Sequence, residues 1–132
     1  MDQAVQRYEA ALKIKPDFHE ARNSWGTALS DQAKTKSGAE ADALFGQAGQ
    51  KYEAALKIKP DKHEALSNWG TALFDQAKTK SGAEADALLD QAVQRYEAAL
   101  KIKPDFHEAL NSWGTALSDQ AKTKSGAEAD AL

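Results

Sequence analysis

One ten-residue segment recurs unchanged along this chain. Tyr8-Glu9-Ala10-Ala11-Leu12-Lys13-Ile14-Lys15-Pro16-Asp17 returns at Tyr52–Asp61 and again at Tyr96–Asp105, 44 residues apart each time. Three units, 1–44, 45–88 and 89–132, account for all 132 residues as one array. A period in the range of about 20–50 residues marks a stacked-repeat protein, because each unit buries its apolar face only against its neighbours. Such a chain offers an extended surface in place of a deep pocket.

Composition removes several classes of function. Cysteine is absent, so disulfides, thiolate chemistry and sulfur-ligated metals do not arise. The formal net charge is −3, with both signs interspersed. No basic stripe marks a nucleic-acid partner. No apolar run approaches the roughly 20 residues that span a bilayer. No charged-then-apolar leader precedes the first unit either, so a cytoplasmic location is the default expectation.

Within each unit, periodicity and punctuation predict two helices. In the middle unit Pro60 stops one element, since proline cannot continue a helix. Asp61 then reads as an N-cap, with Glu64 three residues on completing a capping box. Ala65, Leu66, Trp69, Ala72, Leu73 and Ala77 follow as one apolar stripe. Ser81 and Glu84 restart the pattern, and Ala85, Leu88, Leu89, Ala92, Val93, Tyr96, Ala99 and Leu100 form a second stripe ending before Pro104. That second helix is about 30 Å long at 1.5 Å per residue. The same signals are expected at Asp17 with Glu20, Ser37 with Glu40, and Asp105 with Glu108. Nothing reads as a strand.

These pairs resemble the tetratricopeptide repeat. Leu66-Ser67-Asn68-Trp69-Gly70-Thr71-Ala72-Leu73 fits that family's first helix, and Ala48, Tyr52, Ala55 and Pro60 fit its second. Two features depart from it. Trp and Leu have exchanged places within the first-helix motif, and the unit exceeds the usual length of about 34 residues by about ten, within Asp75–Leu88 or its equivalents. The resemblance implies an all-α, right-handed solenoid of antiparallel helix pairs, of altered pitch. It also places glycine at a close helix crossing, which here would be Gly26, Gly70 and Gly114. Gly46 and Gly49 mark a locally weaker helix, because sister units carry Asp and Val there.

Candidate sites have bland readings beside sharp ones. His19, His63 and His107 fall on successive units beside capping carboxylates, and read as first-turn surface residues before metal ligands. Trp25, Trp69 and Trp113 lie on the apolar stripe and read as core, as do Tyr8, Tyr52 and Tyr96. No nucleophile–base set, phosphate loop or HExxH spacing stands out from the repeat background, so no enzyme, cofactor or metal is expected.

The family resemblance implies that the first helix of each pair lines an inner face able to hold an extended peptide. The matching positions include Asn23, Thr27, Ser67, Thr71, Phe74, Asn111 and Thr115, with Asp31, Asp75 and Asp119 beside them. Family members that grip a C-terminal carboxylate use Lys and Arg on this face. Their absence from these positions argues against such a tail, and an acidic, hydroxyl-lined groove would suit a basic or polar segment, with Phe74 as the one large apolar anchor. The competing reading is a merely solvated face.

The ends of the array carry a further expectation. Met1 aligns with Phe45 and Leu89 in mid-helix, so Met1–Lys15 is the back half of a second helix and Ser125–Leu132 the front half of another. Val5, Tyr8 and Leu12 at one end, and Leu110, Trp113 and Leu117 at the other, are expected to meet head to tail between copies. The first and third units differ only at Met1/Leu89 and Arg22/Leu110, which implies recent duplication or deliberate construction. The functional expectation is a non-catalytic protein-interaction scaffold binding a polypeptide segment. The alternative is a structural, self-assembling element, natural or built, with no external ligand.

Overall fold

The computed structural model describes residues 3–131, with side chains through Lys124. Six helices follow in order: α1 (Gln3–Ile14), α2 (His19–Ala33), α3 (Gly38–Ile58), α4 (His63–Ala77), α5 (Gly82–Ile102) and α6 (His107–Ala131). No strand occurs among the described residues. Each helix packs on its neighbours in sequence, and α2, α4 and α6 also touch side by side. The fold is an α-solenoid.

Alternating small and large apolar residues build its core. Ala33, Ala41, Ala48 and Ala72 are buried around Leu29, Phe45 and Tyr52, and the same arrangement recurs around Leu66, Leu73, Leu89 and Tyr96. Small residues let the helices approach, and the tyrosines fill the crossings. A Cβ added to Gly26 would stand 2.8 Å from the Tyr52 ring, and one on Gly70 would stand 2.9 Å from Tyr96. The close crossing expected at glycine therefore forms at two of its three positions. Gly49 also lies under a ring, since its Cβ would stand 3.3 Å from Trp69 Nε1, whereas Gly46 has open space.

The helix starts need correction. Asp17 and Asp61 do not cap: the flanking residues are Phe18 and Lys62, and neither makes a side-chain capping bond. The Pro-Asp step is consumed in a turn, with the Phe18 N–H donating to Lys15 O at 3.1 Å and the Lys62 N–H to Lys59 O at 3.2 Å. This delays each helix, and at the third unit α6 likewise begins at His107 rather than after Asp105. Asp61 instead faces the Lys59 ammonium at 3.1 Å. That contact holds its carboxyl below the ordinary carboxylate value.

Ser37 and Ser81 do flank α3 and α5 in extended backbone, again with no side-chain cap bond. Glu40 and Glu84 turn from the capping box to Lys36 at 3.7 Å and Lys80 at 3.8 Å. The following glycines, Gly38 and Gly82, have φ of 60° and 58°, a left-handed conformation that supplies the sharp reversal.

The third such reversal does not form. Ser125 and Gly126 lie inside α6, which runs unbroken to Ala131, so the expected separate half-helix at Ser125–Leu132 is absent among the described residues. In the first two units Gly38–Ile58 and Gly82–Ile102 pack back along α2 and α4, which offsets the broken helical hydrogen bonds. Asp86 shows the consequence. Its counterpart Asp42 is held by Lys80 from the turn, while one Asp86 oxygen has no hydrogen-bond partner.

Arg22, the one core-stripe exception, reaches back to donate from Nη2 to Pro16 O at 2.9 Å and ties the α1–α2 turn.

Candidate functional site

Side-by-side packing of α2, α4 and α6 puts their outward sides on one face, and two grooves open along it. The first, about 290 Å³, is lined by Asn23, Thr27 and Asp31 of α2, Asn68 of α4 and Tyr8 of α1. The second, about 240 Å³, is lined by Thr71, Phe74 and Asp75 of α4, Asn111 and Thr115 of α6, and Lys34. They are related by the repeat, since Thr27 and Asp31 of the first correspond to Thr71 and Asp75 of the second one period later, while the amide of the second comes from Asn111 of α6.

Hydrogen bonds between helices set the walls. Thr27 Oγ1 and Tyr52 OH lie 2.9 Å apart, and Thr71 Oγ1 and Tyr96 OH 3.0 Å apart. Each threonine also donates to the carbonyl four residues back, Asn23 O or Ser67 O. Asn68 Nδ2 donates to Asn23 Oδ1 at 3.2 Å, linking α4 to α2. Burial pushes the Tyr52 phenol up to about 12 against the opposing effect of the Thr27 bond, and raises Tyr96 in the same direction. Both phenols are neutral at physiological pH; Tyr96 lines the second groove, and Tyr52 is buried beneath Thr27.

Among the expected residues, the structure brings Asn23 and Thr27 to one groove and Thr71, Phe74, Asn111 and Thr115 to the other. Ser67 is not with them. It is buried beneath the face, where its carbonyl serves Thr71. Phe74 forms a wall and does not project as an anchor: its side chain is only 9% exposed, and the Lys78 ammonium lies 4.5 Å from its ring centroid.

The face also holds a cation that in-helix positions did not reveal. Lys34, just past the end of α2, reaches Asp75 at 3.4 Å. The signal for it was a long basic side chain at a helix C-terminus, beside the carboxylate of the adjacent unit. Asp75 is thus neutralised, while Asp31 is exposed and has no ion pair among the described residues. The first groove carries the free negative charge.

The residues expected at the array ends do not meet within the chain. Leu110 and Leu117 are exposed on α6, Trp113 is half-buried, and Tyr8 and Leu12 are half-buried on α1. Val5 is already buried, at 7% exposure, and belongs to the chain's own core. The tryptophans pack partly into the core clusters, with Lys51 3.8 Å over Trp25 and Arg95 4.0 Å over Trp69. His63 packs edge-on against Phe106 at 4.9 Å and lies 3.4 Å from Glu64. No group of three or more His, Cys, Asp or Glu residues able to hold a metal occurs among the described residues. No described helix is long and apolar enough to cross a membrane.

The family model for the plant-specific mitochondrial import receptor subunit TOM20 matches residues 1–68 and again residues 64–130. No curated protein matches the chain. The double match follows from the period, since each span takes in about one and a half units. It overturns the default expectation of a cytoplasmic location, because the matched family is mitochondrial. It describes receptor subunits, a protein-binding role in place of an enzymatic one. With nearly every residue inside one or other match, the chain belongs to the helical family of plant-specific mitochondrial import receptor subunit TOM20.

Proposed function

We propose that this chain is a non-catalytic polypeptide receptor, an elongated tetratricopeptide-like scaffold whose inner grooves hold a basic, polar segment of a protein bound for import. The observation that carries the reading is the pair of period-related grooves at Asn23–Thr27–Asp31 and Thr71–Asp75–Asn111. A segment lying along α2, α4 and α6 meets hydroxyl, amide and carboxylate groups in both grooves, with Asp31 unpaired in the first and Asp75 paired with Lys34 in the second. Amides and threonines can hydrogen-bond its backbone, and Asp31 attracts its lysines or arginines. Such exposed charges contribute roughly 0–1 kcal/mol apiece, so they bias which segment binds and how fast it arrives. An import receptor has polypeptides as cargo, which agrees with this chemistry.

Fluorescence anisotropy with a labelled lysine-rich peptide tests the reading, against the same peptide with its lysines replaced by glutamate. The basic peptide should bind at micromolar concentration, and more weakly as salt rises. Asp31→Lys should weaken it by about fivefold, a change of roughly 1 kcal/mol. Equal binding of both peptides, or of neither, would refute the proposal.

A further inference from the structure

The array contains two finished copies of a helix contact and one half of a third. In the finished copies a tyrosine ring lies over a glycine of the preceding first helix, Tyr52 on Gly26 and Tyr96 on Gly70. The phenol meets the next residue, Thr27 or Thr71. The cation just before that tyrosine covers a tryptophan, Lys51 on Trp25 and Arg95 on Trp69. The third set stands open on α6. A Cβ at Gly114 would meet nothing within 4 Å. Thr115 Oγ1 bonds only its own helix, at Asn111 O. Leu110 is 39% exposed where Leu66 is 8%, and Leu117 is 40% exposed where Leu73 is 9%.

The matching half is on α1. Arg7 and Tyr8 hold the repeat positions of Arg95 and Tyr96, and Leu12 that of Leu100, which packs against the cluster containing Leu66. Tyr8 is half-buried, whereas Tyr52 and Tyr96 are fully enclosed. A groove of about 620 Å³ opens between α5 and α6, lined by Glu97, Leu100 and Lys101 on one side and Leu110 and Trp113 on the other.

We propose that this face binds a second copy of the same chain, head to tail. Helix α1 of one copy lies along the first half of α6 of the other. The Tyr8 ring covers Gly114, its hydroxyl bonds Thr115, Arg7 stacks on Trp113, and Leu12 packs on Leu110. The contact uses two different patches, so it propagates into chains or closes into rings according to the rotation at each step. It occupies the first half of α6 and needs no reversal at Ser125.

Sedimentation velocity over a wide concentration range tests it. The wild-type weight-average mass should rise from 14.2 kDa as concentration increases. Gly114→Ala is the informative variant, since its methyl group clashes with nothing in its own chain yet fills the slot for Tyr8. It should weaken association at least tenfold while leaving the circular dichroism spectrum unchanged. Tyr8→Ala should weaken association from the other side. Mixing Gly114→Ala chains, whose α1 face is intact, with Tyr8→Ala chains, whose α6 face is intact, should give a species that stops at two copies. A wild-type mass constant at one copy, wild-type-like association of Gly114→Ala, or no pairing in the mixture would each overturn the proposal.

Discussion

The Lys80 ammonium, in the turn after α4, donates to the Asp42 carboxylate of α3 at 2.6 Å and fastens one helix pair to the next. Gln76 Nε2 adds a second bond to the same carboxyl group at 3.3 Å. The Lys80 and Gln76 bonds hold the Asp42 pKa below its ordinary value of 3.8, and Asp42 raises that of Lys80 above 10.5. A depressed carboxyl pKa contributes stability that is present above about pH 4 and lost as pH falls through the folded value. A raised amine pKa contributes stability that is present below 10.5 and lost as pH rises further. Asp42→Asn should therefore flatten the acid limb of the stability curve below pH 4. Urea midpoints measured from pH 2 to 7 for both proteins check this, and parallel acid limbs would contradict it.

Tyr52 sets a second limit at the alkaline end. Burial raises its phenol from 10 to about 12, so the neutral form stabilises the fold below pH 10, and that contribution is lost as pH rises through about 12. Tyr52→Phe keeps the ring over Gly26 and removes the titrating group. It should reduce the loss of stability between pH 10 and 12. At pH 7 it should cost about 1 kcal/mol for the lost Thr27 bond, read from the urea midpoint.

The glycines separate by what surrounds them. Gly70→Ala forces the Tyr96 ring aside and should destabilise by about 1–3 kcal/mol, despite alanine's better helix propensity. Gly46→Ala meets open space within α3 and should stabilise by about 1 kcal/mol. Gly82→Ala also meets no atom, but its φ of 58° costs roughly 1–2 kcal/mol for a residue with a Cβ. Thermal melts of the three variants should give two losses and one gain.

The two cation–ring contacts should differ in energy. Burial, together with the charge of Arg22, lowers the pKa of Lys51, so its charged form is disfavoured where it lies over Trp25. Lys51→Met keeps the packing and removes that strain, so it should change stability by less than about 0.5 kcal/mol. Arg95→Met should cost about 0.5–1 kcal/mol, because guanidinium stacking on Trp69 is lost. Denaturation midpoints with Trp emission as the probe separate the two.

Architecture was legible because one strong signal repeats: apolar stripes, Pro stops and a 44-residue period agree on a series of paired helices, although they also divide α6 at Ser125. The helix starts were less so. A Pro-Asp pair reads equally as a turn or as an N-cap, and only the bonds of Phe18 and Lys62 to Lys15 and Lys59 decide between them. The straight course of α6 past Gly126 depends on tertiary packing, which local sequence does not record. On the candidate face, Asn23 and Thr27 followed from the resemblance to the tetratricopeptide repeat. Lys34 did not, because a flexible side chain beyond a helix end reaches a residue in another unit. Burial of Ser67 and Phe74 depends on how closely α2, α4 and α6 approach, which the altered unit length left open.

The most direct test of the receptor account is an amide chemical-shift map recorded while a lysine-rich peptide is titrated into the labelled protein. Perturbations should concentrate at Asn23, Thr27 and Asp31 and at Thr71, Asp75 and Asn111, and should diminish together in Asp31→Lys. Shifts confined to the opposite side, at Glu53, Glu97 and Lys101 of α3 and α5, or no shifts at saturating peptide, would contradict it.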